Sequence, residues 1–229
     1  MPYAAVITST TLVPHLLEEM APSFCSPIAT IRKFQNRWIL QSSTFEPYES
    51  DEKLFESANN LLTQIHLVLA LYLGVYSEPL SVRALMMLTD DDKLIGHRRY
   101  FTQTFSVVMT AEQVFNPTAS GSLATVVLSR AVTDPAITEA LSLVGHEAPT
   151  WGQIYDIIEF LGGPRSIERS GFAPELETRR MKRTANYYRH LGKPKNHLLP
   201  PNPPTLAEAR VFAINIVRRW IAERINGSQ

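Results

Sequence analysis

The sequence predicts an α+β protein: a small mixed sheet with one long helix in the N-terminal half, then an all-helical bundle in the C-terminal half. Three observations carry this reading. Short apolar–polar alternations, the mark of half-buried strands, fall before residue 111. One apolar stripe of helical period fills 54–69. Beyond 122 the period is helical throughout and is punctuated by helix-start signals.

Taken in order, YAAVITS (3–9) reads as an opening strand and NRWILQSS (36–43) as a second. Ser50 is placed to cap a long helix, with Asp51 and Glu52 complementing its positive end. Leu54, Ala58, Leu61, Leu62, Ile65 and Leu69 give that helix its buried stripe, and Gly74 ends it. SVRALMMLTD (81–90) and YFTQTFSVVMT (100–110) are the next strands, with DDDKLIGHRR between them as a hairpin loop. NPTASGS (116–122) reads as a loop and sets the expected boundary, giving an α+β subdomain over 1–118 and a helical bundle over 119–229. Within the bundle, Asp134 followed by Pro135 is an N-cap with proline at the first helical position. Thr150-x-x-Gln153 and Thr205-x-x-Glu208 are capping boxes. LGGP (161–164) is a helix stop. A further helix opens at Pro174 or Glu175 and runs to about His190, and the proline-rich LLPPNPPT forces an extended link into the last helix.

Composition narrows the classes of function. The chain has 229 residues, 45% hydrophobic and 19% charged, enough to fill a core. Its net charge is zero, but the charge is unevenly spread. From Arg165 to Arg224 there are thirteen Lys or Arg against five Asp or Glu; elsewhere there are nine against seventeen. A basic segment of that kind suits a polyanion or an acidic protein surface. A single cysteine, Cys25, rules out a disulfide framework within the chain and a cysteine-based zinc site. The first residues lack the basic region of a signal peptide. The longest apolar run (61–73) holds Gln64 and His66 and is too short to span a bilayer. A soluble, cytoplasmic protein with no membrane partner is expected.

The basic density peaks in RRMKRTANYYRHLGKPKNH (179–197). On a helix over 175–190, with 100° per residue, Arg179, Arg183, Asn186 and His190 share one stripe. Thr178, Met181, Ala185 and Tyr188 form another, the core-facing one. The polar stripe has the chemistry for a phosphodiester. Arg183 and Asn186 grip the phosphate, and His190, which titrates near neutrality, exchanges a proton. A guanidinium suits the developing negative charge because it is always ionised and donates to two oxygens. Arg179, Arg180, Lys182, Arg189, Lys193 and Lys195 are candidate contacts to a nucleic-acid backbone.

Arg183-x6-His190, with Asn186 between, resembles the R-x(4–6)-H motif of the HEPN superfamily. The residue after the arginine, often acidic or amide in that motif, is Thr184 here. The chain as a whole is similar to a group of bacterial proteins whose tails share patterns seen here as WGQIYDIIEF, RRMKRTANYYRH and NPPTLAEARVFAINIVRRW. The HEPN resemblance implies a small helical bundle that acts as a metal-independent ribonuclease or an RNA-binding module, without cofactor, in settings that include cell defence. It implies a homodimer that brings two motifs together. His190 would activate or protonate oxygens at the scissile phosphate, Arg183 would stabilise charge, Asn186 would orient, and the RNA's own 2′-hydroxyl would attack. The rival reading is a non-enzymatic interaction protein that uses the basic helix face as a docking patch.

The remaining candidates are weaker. His15, His66, His97, His146 and His197 have no metal-ligand spacing, and His66 sits in a leucine-rich helix as a core histidine. GHRRY (96–100) is a basic hairpin tip, and Asp90, Asp91 and Asp92 form a solvated turn. Asp156 and Glu159 are placed to pair with arginines of the stripe. There is no Walker loop, no G-x-G-x-x-G and no G-x-S-x-G.

Overall fold

The computed structural model describes residues 3–8, 17–18, 21–45, 50–73, 80–89, 91, 93–99, 117–145, 149–190 and 198–227. Five strands and seven helices are named among them, and the α+β class holds. The strands are β1 (Tyr3–Thr8), β2 (Thr30–Phe34), β3 (Arg37–Gln41), β4 (Ser81–Leu88) and β5 (Leu94–Arg99). They form one sheet in the order β2-β3-β1-β4-β5. Every pairing is antiparallel, so the sheet is not mixed as expected. The reason is connectivity: two hairpins, β2–β3 and β4–β5, flank β1, and each hairpin is antiparallel by construction. The turn between β2 and β3 has two residues, Gln35 and Asn36, with φ of 45° and 62°, the conformation that matches strand twist.

Ala4, Val6, Phe34, Ile39, Ala84, Met86 and Leu88 make one buried cluster on the sheet. Ala5, with Leu40 and Leu85 as its cross-strand neighbours, is buried on the other face. Helix α1 (Asp51–Leu73) begins where Ser50 accepts from the Lys53 N–H at 3.3 Å and packs on β4. All six residues of its expected stripe are buried, and so is His66. The Asn59 side-chain carbonyl of α1 accepts from the Val82 N–H at 3.3 Å, tying helix to strand.

Several expectations are corrected here. β2 was not anticipated. LIGHRR, read as part of a loop, is β5, paired with β4. The expected strand at 100–110 lies outside the described residues. The expected loop at 116–122 is helical from Pro117 on, in α2 (Pro117–Ala131). Proline, glycine and serine read as a loop by composition, yet proline is well suited to the first turn of a helix. Because α2 packs on α1, it belongs to the first of two compact units, Met1–Thr133 and Asp134–Gln229.

The second unit holds α3 (Pro135–Gly145), α4 (Trp151–Phe160), α5 (Gly163–Arg169), α6 (Glu175–Arg189) and α7 (Leu206–Asn226). The anticipated caps are in place. Asp134 Oδ1 accepts from the Ala136 N–H at 3.1 Å, and both capping boxes are complete. Helix α4 is the hub, packing against α3, α5, α6 and α7 through the fully buried Ile154, Ile157 and Ile158. Helix α5, also unanticipated, starts at once after the expected helix stop, where Gly162 and Gly163 both adopt left-handed φ.

Candidate functional site

Helix α6 forms because its sequence satisfies both ends. Pro174, extended at φ −61° and ψ 141°, is the N-cap, and Glu175 and Glu177 face the positive end. The chain leaves the helix at His190, whose N–H donates to the Tyr187 carbonyl at 3.2 Å. Thr178, Met181 and Ala185 are buried, as the apolar stripe predicts, and Thr184 with them. Tyr188 is half-buried. The two buried threonines hide their hydroxyls by donating to the carbonyls one turn back, Pro174 O and Arg180 O, each at 3.0 Å.

The basic side chains of α6 divide by direction. Lys182 and Arg189 turn toward α4. The Lys182 Nζ meets Glu159 at 2.5 Å, and Arg189 Nη1 donates to Asp156 Oδ1 at 3.3 Å. Both cations lie over the ring of Tyr155, at 5.4 and 4.6 Å. The acids of α4 thus pair with basic residues of α6, but with neighbours of the stripe rather than its members. Arg179 pairs with Glu175, which also meets Arg165 at 3.6 Å. Arg180 is exposed near Glu208 and helps hold that carboxyl below its usual range, after the larger effect of the Thr205 N–H and hydroxyl.

Arg183 is different. It is exposed, and among the described residues it has no ion-pair or hydrogen-bond partner. Asn186 and His190 are half-buried beside it on the outward face. His190 lies seven positions after Arg183, about 10 Å along the helix axis. Helical side chains lean toward the N-terminus, so Arg183 points away from His190 rather than converging on it. Lys193 and Lys195 lie outside the described residues.

Sequence reasoning missed an aromatic series on the same helix. Tyr187 lies one turn beyond Arg183 and meets Tyr188 edge-on, with centroids 5.3 Å apart. Tyr188 stacks on Trp151 of α4 at 5.0 Å. The i, i+4 spacing of Arg183 and Tyr187 was the available signal. Also missed was a groove of about 580 Å³ between the N-terminal half of α6 and α7. Both helices pack on α4, and the groove opens between them, with Met181, Phe212 and Ile216 in its lining and Arg180 and Arg219 among its polar groups.

Among the described residues no group of three or more His, Cys, Asp or Glu is placed to hold a metal. No described helix is long and apolar enough to cross a membrane. No family model matches the sequence, and no curated protein or solved structure matches the chain.

Proposed function

We propose that the helical unit is a HEPN-like module that binds RNA on the outward face of α6 and cleaves it without a metal ion, in the cytoplasm and in the service of cell defence. The observation that carries this reading is Arg183. Its neighbours Arg179, Lys182 and Arg189 are neutralised within the chain, while its guanidinium is left for an external anion, on the same helix face as Asn186 and His190. In this reading His190 transfers the proton at the scissile phosphate, Asn186 orients, and the 2′-hydroxyl of the RNA attacks. The 10 Å separation along α6 favours a homodimer, in which one copy supplies His190 and its partner supplies Arg183 to the same phosphate.

His190→Ala tests the chemistry. It should reduce RNA cleavage by roughly 10²–10⁴-fold with little change in RNA affinity. Arg183→Ala should weaken binding itself. A strand with 2′-deoxyribose at the cut site should survive, and chelators should make no difference. Cleavage that persists unchanged in His190→Ala would remove the enzymatic reading. A second reading, a non-enzymatic module that docks a protein, is favoured by the groove between α6 and α7, whose lining includes Met181, Phe212 and Ile216. A protein that retains no RNA even at low salt would leave that reading alone.

A further inference from the structure

The aromatic series on α6 bears on which form of RNA the outward face takes. Tyr187 lies 40° around the helix from Arg183 and 60° from His190, so all three share one face. Its ring is held in place: it meets Tyr188 at an interplanar angle of 86°, and Tyr188 is in turn stacked on Trp151 at 15°. Tyr187 itself is only half-buried. The outward face therefore presents an ordered aromatic ring about 6 Å along the helix from a guanidinium with no ion-pair or hydrogen-bond partner among the described residues. An aromatic ring beside a phosphate-binding cation is the pairing that holds unpaired nucleotides: the base stacks on the ring while the backbone meets the charge. A duplex cannot use it, because its bases are already stacked on one another.

We propose that Tyr187 is a base-stacking residue, which makes single-stranded nucleotides, not duplex, the ligand of this face; the inference rests on the reading that α6 binds RNA. The phosphate lies at Arg183, and the attached base covers the Tyr187 ring. Heparin, a polyanion without bases, would engage Arg183 but gain nothing from Tyr187.

The test measures binding of the full chain to a labelled single-stranded RNA, to a blunt duplex of the same sequence and to heparin. Tyr187→Ala should weaken single-strand binding by roughly 5- to 150-fold, the range for one lost stacking contact. Duplex and heparin binding should stay within about twofold. Tyr187→Phe, which keeps the ring, should bind as the wild type does. Tyr187→Leu, which keeps apolar bulk against Tyr188 but has no π face, should behave like Tyr187→Ala and guards against a loss that is only structural. Arg183→Ala should weaken all three ligands. Equal losses for single strand and duplex in Tyr187→Ala, no loss in either, or a Tyr187→Phe variant as weak as Tyr187→Ala would each overturn the stacking role. If Arg183→Ala still weakens RNA in those cases, the RNA reading survives without it. No RNA bound by the wild type would overturn both.

Discussion

Asp134 has two roles at one end of the helical unit. It caps α3 through the Ala136 N–H, and its two carboxylate oxygens accept from Arg224 Nε at 2.6 Å and Nη2 at 3.1 Å. The Arg224 hydrogen bond, more than the backbone N–H groups, holds the carboxyl below its usual range, and the Arg224 guanidinium is raised in return. Asp134→Ala should cost about 1–2 kcal/mol, most of it the lost cap. Asp134→Asn keeps a capping oxygen and should cost less. The pH dependence has a definite sign. A carboxyl depressed in the folded state stabilises above its unfolded value, near 4, and that contribution is lost as pH falls through the folded value. The wild type should therefore melt above Asp134→Asn at pH 6 and converge with it once the pH has fallen through the depressed folded value. A gap that stays constant with pH would show that the charge contributes nothing. The Asp-Pro signal made the cap legible in the sequence, because capping involves residues two or three apart. Arg224 was not legible as the partner, since nothing local marks a contact ninety residues away.

Local signals also explain which elements were read and which were missed. Helices α4, α6 and α7 carry both a start signal and a sustained period, and their expected bounds are close to those observed. β2, with the sequence TIRKF, has two charged residues in five, and its turn is Gln35–Asn36 rather than the asparagine–glycine pair that advertises a hairpin. In β5 a glycine and the preceding acids read as a loop, although the strand pairs with β4 directly before it. Helix α5 is too short to show a period, and its two opening glycines looked like an end alone. Gly162 differs from Gly163 and Gly171 in what it tolerates. A Cβ on Gly162, at φ 82°, would lie 2.9 Å from both Cβ and Oγ of Ser166. Gly171, at φ 71°, has nothing within 4 Å of that position. Gly171→Ala should cost about 1–2 kcal/mol, the left-handed backbone penalty alone. Gly162→Ala should cost visibly more in urea denaturation, because Ser166 must also move. Equal shifts of the two midpoints would mean that Ser166 yields freely.

For the whole molecule, the candidate face was legible because helical period alone separates the Arg183 stripe from the Met181 stripe. What neutralises the other cations was not, since the ion pairs of Lys182 and Arg189 depend on α4 lying alongside α6. The two units also differ in how far apart in sequence their partners are. In the helical unit, α4 meets α3, α5 and α6 within a short stretch of chain. In the first unit β1 is the central strand, yet both its neighbours, β3 and β4, follow it in sequence. Short-range contacts form faster than long-range ones. In refolding, variants that keep only Trp151 and Trp220 should recover their signal before a variant that keeps only Trp38. The reverse order would place the sheet first. During synthesis the same topology has a cost. Ala4, Ala5, Val6 and Ile7 leave the ribosome well before Ser81–Leu88 exists to cover them. At roughly 5–20 residues per second, that apolar strand waits several seconds with one edge open. A nascent chain halted after α1 should accordingly hold on to a chaperone and release it only once β4 has emerged.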